Sequence, residues 1–297
     1  MEFRTTIARP VSIDGVGLHS GEEVVMNLRP ASSGTGIVFV RTDRDDAEVK
    51  AVWRNLGKTA YATTLTSGGV SVATVEHLLS AVAGLGIDDL LVELSAGEVP
   101  ILDGSAMPFV RLLERAGRQE SDQPRQVIRI ERPVSIREGK KSISIAPGRG
   151  LKVHYTINFD HPVLNDSRRL FTLRPWTFAR DIAPARTFCR LEEVEDLRQA
   201  GLVKGGTLEN ALVVDQDGLL NGPLRYRDEF VRHKILDLLG DLALLGRPVE
   251  GTIIAERAGH ALHTRLVEKL LAQPDCWSLV PASAALRPVV PALAIQA

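Results

Sequence analysis

One stretch in the second half of the chain, Val231-Arg-His-Lys-Ile-Leu-Asp-Leu-Leu-Gly-Asp, sets His233 and Asp237 four residues apart and Asp241 four further on. On a helix that spacing stacks the three side chains on one face. Ile235, Leu236, Leu238 and Leu239 surround this polar stripe. An imidazole and two carboxylates on an apolar helix are costly to bury unless they are paired or bound to a cation. Both are zinc ligands, and an i, i+4 pair lets one helix supply two of them. Read alone, the same helix also fits a solvated face carrying a His–Asp ion pair.

A second stretch, Thr74-Val-Glu-His-Leu-Leu-Ser-Ala-Val, puts Glu76 and His77 side by side at an apolar helix start. With His77 as third ligand, a metal would have two imidazoles and one carboxylate and keep a position open for water. Glu76 would then be placed to take a proton from that water; the alternative is a carboxylate that caps the helix N-terminus. Of the seven histidines, His260 stands out in Arg257-Ala-Gly-His-Ala-Leu, between an expected strand and an expected helix, with a glycine to let the chain turn. There it reads as a general acid whose proton Asp241 could hold, or as an exposed loop histidine. His19, between glycines, is a competing ligand or a turn residue. His154, His161 and His263 read as non-catalytic. No nucleophile elbow, dinucleotide fingerprint, P-loop or His-Glu-x-x-His is present, and Gly201–Thr207 reads as a turn.

The elements that must carry these residues follow from periodicity. Residues 1–54 read as short strands and turns, including Val24–Pro30 and Gly36–Arg41. Thr74–Ala83 reads as a helix closed by Gly84 and Gly86, Ile87–Leu94 as a strand, and Pro108–Ala116 as a helix ended by Gly117. The polar run at 118–126 reads as a linker. Strands follow at Val127–Ile130, Val134–Ile136, Ser142–Ile145 and Leu151–Ile157. Then come a helix at Phe230–Leu245, a strand from Gly251 and a helix at His263–Leu271. In each half, strands lead to a helix with a histidine near its start, a Leu-Gly stop, a strand and a second helix. This grammar implies two α+β domains of one architecture, each a sheet with helices on one face. The expected divisions are 1–125, supplying Glu76 and His77; 126–280, supplying His233, Asp237 and His260; and a tail at 281–297. Like domains packed together would bring their equivalent helices to a shared cleft.

Bulk composition narrows the class. The chain has 297 residues, 44% hydrophobic and 25% charged, as a globular protein does. A net charge of −1 argues against phosphate-neutralising nucleic-acid binding. Two cysteines, Cys189 and Cys276, are too few for a disulfide framework or a thiolate zinc site and fit a reducing, cytoplasmic setting. The first residues lack the pattern of a secretory signal, and no run approaches the ~20 apolar residues of a membrane span.

Taken together, these segments resemble the UDP-3-O-acyl-N-acetylglucosamine deacetylases (LpxC) of lipid A synthesis. The matching stretches are Gly15-Val-Gly-Leu-His-Ser-Gly, Thr74-Val-Glu-His-Leu, Ala83-Gly-Leu-Gly-Ile-Asp, Pro100-Ile-Leu-Asp-Gly-Ser-Ala, Ala185-Arg-Thr-Phe, Phe230-Val-Arg-His-Lys, Leu236-Asp-Leu-Leu-Gly-Asp-Leu and Gly259-His-Ala-Leu, in family order over residues 4–280. The resemblance implies two similar two-layer α+β domains with their helices sandwiched between two outer sheets. Each would carry a small insert, near 52–72 and within about 185–210. It implies one zinc per chain on His77, His233 and Asp237, with iron an alternative since these ligands accept both. It places the catalytic glutamate on Glu76, the catalytic histidine on His260, its acidic partner on Asp241 and the oxyanion-supporting threonine on Thr187. Substrate contacts fall on Lys234, Arg257, Phe159, Phe188, Leu18 and His19. Leu191 and Val203, with Val194, Leu202, Leu208 and Val213, are candidates for an acyl groove or for ordinary core. Cys189-Arg190, where the family has glycine and an apolar residue, and Thr59-Ala-Tyr-Ala-Thr-Thr depart from the pattern, and both would border the acyl passage.

The implied substrate is a small UDP-linked acylated amino sugar, with no nucleic acid, no transmembrane segment and a monomeric enzyme. Other readings are a zinc amidase for a different N-acyl substrate and a non-catalytic RNA-binding module. A dehydratase acting on acyl carrier protein would need a hot-dog domain for which no residues are left.

Overall fold

The computed structural model describes residues 1–159, 161, 164 and 167–282; of the expected tail, residues 283–297 lie outside this set. The first half runs β1 (Phe3–Ile7), β2 (Val11–Val16), β3 (Glu23–Pro30), β4 (Ile37–Arg41), β5 (Ala47–Lys50), then a hairpin of β6 (Leu65–Ser67) and β7 (Val70–Val72). Helix α1 (Glu76–Leu85), β8 (Leu90–Leu94), α2 (Met107–Ala116) and β9 (Arg118–Pro124) follow. The second half runs β10 (Gln126–Ile130), β11 (Val134–Glu138), β12 (Lys141–Ala146), β13 (Leu151–Ile157), β14 (Ser167–Thr172), α3 (Pro175–Asp181), β15 (Phe188–Arg190), α4 (Leu191–Gln199) and β16 (Leu212–Val214). It closes with α5 (Glu229–Leu242), β17 (Val249–Glu256), α6 (His260–Leu271) and β18 (Trp277–Pro281). The result is a mixed α+β fold with several sheets and six helices among the described residues. None of those helices is long and apolar enough to cross a membrane.

One connection order occurs twice. The first sheet has the order β2-β3-β8-β4-β5, antiparallel except where β4 meets β8. In the second sheet the run β11-β12-β17-β13-β14 is likewise antiparallel except where β13 meets β17. In both runs the last strand in sequence is inserted centrally, with one helix before it (α1 or α5) and one after it (α2 or α6). The second sheet adds β10 beside β17 and β18 beside β10. Strand alternation sets the buried face: Val24, Met26 and Leu28 on β3, and Leu151, Val153, Tyr155 and Ile157 on β13, point into the core.

The helices differ as their sequences do. α2 buries Phe109, Val110, Leu112 and Leu113 and exposes Arg111 and Glu114, the pattern of a surface helix. α1 is buried on almost every side and packs against α5, which is buried everywhere except near Arg232 and Lys234. An all-round apolar helix must sit inside the molecule.

Three expectations are corrected. Residues 118–126 are not a linker: Arg118–Pro124 form β9, which pairs antiparallel with β1 and so brings residues 3–7 to the end of the first half. This strand is exposed on both faces and has no apolar alternation to betray it. Helix α6 begins at His260, not His263, so His260 sits on its first turn rather than in a loop. Nor does Gly259 make the sharp turn; it is extended, and Arg257 takes the left-handed conformation instead, with φ 50.

Gly240 fixes how closely α1 and α5 approach. A Cβ there would overlap the backbone carbonyl of Glu76, which cannot swing aside. Gly240→Ala is expected to cost roughly 1–3 kcal/mol of stability by overpacking, seen as a lower urea midpoint at unchanged slope. An unchanged midpoint would mean that the helices have slack.

Candidate metal and catalytic centre

The first turns of α1 and α6 and the middle of α5 converge on one buried cluster. His77 Nε2 lies 3.8 Å from Asp237 Oδ1, and His233 Nε2 lies 3.2 Å from the same oxygen. The two imidazoles meet edge to face at 5.0 Å between centroids. The three side chains offer ligand atoms all within 4.8 Å of one another, and each residue is at most 4% exposed. Two ligands of a tetrahedral zinc ion, at about 2.0–2.1 Å each, stand roughly 3.3 Å apart, so this spacing suits a metal.

Protonation points the same way. His233 Nδ1 donates to the carbonyl of Ala185 at 3.0 Å, which turns the Nε2 lone pair toward Asp237. Burial, reinforced by His233, lowers the His77 pKa to about 3, and burial also lowers that of His233, so both rings are neutral. Burial alone would raise the Asp237 pKa, but the positive charges of Lys234 and His260 outweigh it and the carboxyl stays ionised. Its Oδ2 accepts from Lys234 Nζ at 2.9 Å. Two neutral imidazoles and a carboxylate form a donor set that a divalent cation satisfies. His77 Nδ1 is buried without a hydrogen-bond partner.

Asp241, His260 and His263 form a second cluster with metal-ligand chemistry. Here Asp241 Oδ2 is only 2.8 Å from His260 Nδ1 and 2.9 Å from His263 Nδ1. These are hydrogen-bond distances, shorter than two ligands of one tetrahedral ion would keep. Asp241 Oδ1 accepts from Thr63 Oγ1 at 2.5 Å. Burial would lower the His260 pKa, but Asp241, by charge and hydrogen bond, raises it to about 9, helped by Asp237 and Glu76. For Glu76, burial dominates and lifts the carboxyl to about 7, with His260 pulling the other way. Glu76 Oε2 accepts from the Thr63 backbone N–H at 3.0 Å, and Oε1 lies 3.7 Å from His260 Nε2. The His260 side chain is 11% exposed, against 4% for Glu76, and is the more open of the two.

The loops that frame the cluster are pinned by buried acids. Glu98 accepts from the backbone N–H groups of His19 and Ser20 and from Thr74 Oγ1. Thr74 has φ 57, a strained conformation for a branched residue, two positions before Glu76. A Cβ at Gly17 would overlap the Ser20 hydroxyl and the Glu98 carboxylate. His19 is close by, with both ring nitrogens buried and unpartnered, but it joins neither metal-capable group. Leu18 and His19 carbonyls accept from the backbone N–H groups of Gly205 and Lys204, joining this loop to the one that holds Val203. Val203, at φ 50, is another strained branched residue.

Wholly buried Glu229 opens α5 and accepts from Arg186 N and Nε, fixing the segment that runs through Ala185 and Thr187. Thr187 is half-buried, its N–H donating to Gly104 and its carbonyl accepting from Leu212. Phe188 packs edge-on to Phe159 and Phe230, and Lys234 Nζ lies 5.4 Å from its ring centre. Arg257 sits on the turn between β17 and α6. Among the acyl-groove candidates only Val213 is buried; Leu191 is 47% and Leu208 57% exposed, while Val194, Leu202 and Val203 are half-buried. Sequence reasoning does not single out Thr63, Glu98 or Glu229, and it reads His263 as non-catalytic. For His263 a signal existed: it shares the helix face of Leu262, Leu266, Val267 and Leu270, where an imidazole has to be satisfied internally.

The family model of UDP-3-O-acyl N-acetylglycosamine deacetylase (LpxC) matches residues 4–272. The chain is also 48% identical over 279 residues to the UDP-3-O-acyl-N-acetylglucosamine deacetylase of Myxococcus xanthus (strain DK1622), covering 93% of this chain and 89% of that protein.

Thr63 is wholly buried and serves two carboxylates at once. Thr63→Val keeps the backbone donor to Glu76 and deletes the hydroxyl donor to Asp241. It is expected to cost about 1–3 kcal/mol, the penalty for an under-satisfied buried acceptor, measured by urea unfolding. A variant as stable as the parent would show that the hydroxyl is dispensable.

Proposed function

The chain belongs to the UDP-3-O-acyl N-acetylglycosamine deacetylase family, and we propose that it hydrolyses the N-acetyl amide of its substrate at one zinc ion held by His77, His233 and Asp237. The activity is that of a deacetylase in lipid A biosynthesis, acting on UDP-3-O-acyl-N-acetylglucosamine and releasing acetate and the free amine. The observation that carries the metal assignment is the approach of three ligand atoms from opposite halves of the sequence to within 4.8 Å. Zinc there would acidify water and polarise the amide carbonyl; iron on the same ligands would act alike.

The chain's own residues supply the proton traffic. Glu76, with a pKa raised to about 7, is ionised in a useful fraction at neutral pH and accepts the proton of the attacking water. The new bond joins water oxygen to the acetyl carbon, and the C–N bond breaks. His260 has its Nδ1–H bound to Asp241 and, with a pKa of about 9, keeps a second proton on Nε2. That proton goes to the leaving amine. The 3.7 Å between Glu76 Oε1 and His260 Nε2 allows base and acid to address one reacting group. Thr187, on the segment fixed by Glu229, is assigned the oxyanion. Lys234 and Arg257 are assigned the charged head of the substrate, and Phe159 and Phe188 the nucleoside side. Leu18 and His19 are assigned to the same substrate. Leu191 and Val203, with the other uncovered apolar side chains after Phe188, are assigned the acyl chain. Each buried methylene there would contribute about 0.8 kcal/mol.

The repeated strand order supports two domains of one architecture, about 1–125 and 126–280, with α1 and α5 between two outer sheets. The two inserts, near 52–72 and within about 185–210, would be the β6–β7 hairpin and the β15–α4 segment. Two free thiols, Cys189 and Cys276, fit a cytoplasmic enzyme.

Chelation followed by desalting is expected to abolish acetate release from the UDP-linked substrate, and added zinc to restore it. Glu76→Gln should lose about 100-fold or more in kcat while still holding near one zinc by elemental analysis. His233→Ala and Asp237→Ala should lose the zinc itself. A Glu76→Gln protein purified without metal would make Glu76 a ligand and overturn the division of roles. An amide hydrolysis insensitive to chelation would overturn the metal assignment.

A further inference from the structure

His263 is the one imidazole of the cluster that neither the metal site nor the proton transfer uses, yet it is wholly buried and fully partnered. Its Nδ1 lies 2.9 Å from Asp241 Oδ2, the oxygen that His260 Nδ1 also reaches. Its Nε2 lies 2.9 Å from the hydroxyl of Tyr155, on β13. That hydroxyl, whose single hydrogen serves one acceptor at a time, also lies 2.8 Å from the carbonyl of Ala258, two residues before His260. A carboxylate can only accept, so His263 Nδ1 carries the hydrogen. Tyr155 is 1% exposed and His263 is 0% exposed, so neither can touch substrate.

This arrangement closes a ring of covalent bonds and short polar contacts. From His260 it runs to Asp241, to His263, to Tyr155, and back through Ala258 and Gly259 to His260. The turn it spans holds Arg257 at φ 50, a conformation that costs energy and needs outside support. An apolar residue at 263 would fill the same space on α6 without holding the carboxylate. We propose that His263 is a positioning residue for His260: it fixes the rotamer of Asp241 through Oδ2 and, with Tyr155, the start of α6. The general acid is thereby held in one orientation toward the leaving amine. The inference rests on the assignment of His260 as that acid.

Two conservative variants separate the two contacts of the ring. In His263→Asn the amide nitrogen stands where Nδ1 stood and still donates to Asp241. In His263→Gln the amide reaches the Nε2 place and the Asp241 contact is lost. With the UDP-linked acylated amino sugar as substrate, His263→Gln is expected to lower kcat about 10- to 50-fold, as a misplaced acid does. KM should stay within about twofold and zinc content should be unchanged. His263→Asn should lose no more than about threefold. The decisive readout is a cycle with His260→Ala. In that background His263→Gln should cost no further kcat, because there is no acid left to misplace. Equal losses in both backgrounds, equal losses for Asn and Gln, or a loss seen in KM or zinc would reduce His263 to a packing residue and overturn the proposal. If His260→Ala alone keeps full kcat, the acid assignment itself fails, a result distinguishable from failure of His263.

Discussion

The cost of placing like charges in a dry crevice between two helices governs this molecule. Glu76, Asp237 and Asp241 are each at most 3% exposed and lie where α1 and α5 touch. Unpaired, each would be expensive to keep ionised. The chain therefore gives each a different set of partners. Asp241 takes three donors: Thr63, His260 and His263. Glu76 takes one backbone N–H. Asp237 gives one oxygen to Lys234 and turns the other to two neutral imidazoles.

From those unequal partners comes a division of labour among chemically similar groups. Donors and neighbouring cationic groups keep Asp237 and Asp241 ionised, while burial with little compensation lifts Glu76 toward neutrality. The same logic separates the histidines. His77 and His233 are held neutral by burial, which suits ligands, and His260 is held protonated by Asp241, which suits an acid. Environment alone gives these groups the different protonation states that a ligand, a base and an acid would need.

Precision at the centre depends on acids one layer out. Glu98 holds the strained Thr74 and the His19–Ser20 loop together, and Glu229 clamps the Ala185–Thr187 segment to the start of α5. Both are buried and both accept backbone N–H groups, so each converts a flexible loop into a fixed wall. Glu98 in this way holds the strained Thr74 two residues before Glu76.

The i, i+4 spacing of His233, Asp237 and Asp241, the Glu76–His77 pair and the helices that carry them were legible from sequence. Helical period and residue chemistry are local properties, and the ordered family blocks added what spacing alone left open. The repeat of connection order was legible as grammar, but its proof lies in strand pairing, which joins residues far apart in the chain. Strand β9, polar on both faces, reads as a linker in sequence because only its pairing with β1 makes it a strand. His263 reads as non-catalytic because a histidine on an apolar helix stripe looks alike whether it packs idly or holds a buried carboxylate. Its partners are 22 and 108 residues away. Sequence by itself determined which side chains could do the chemistry. Tertiary structure decided which of them meet, and how dry the meeting place is, because proximity and desolvation arise only when distant segments pack.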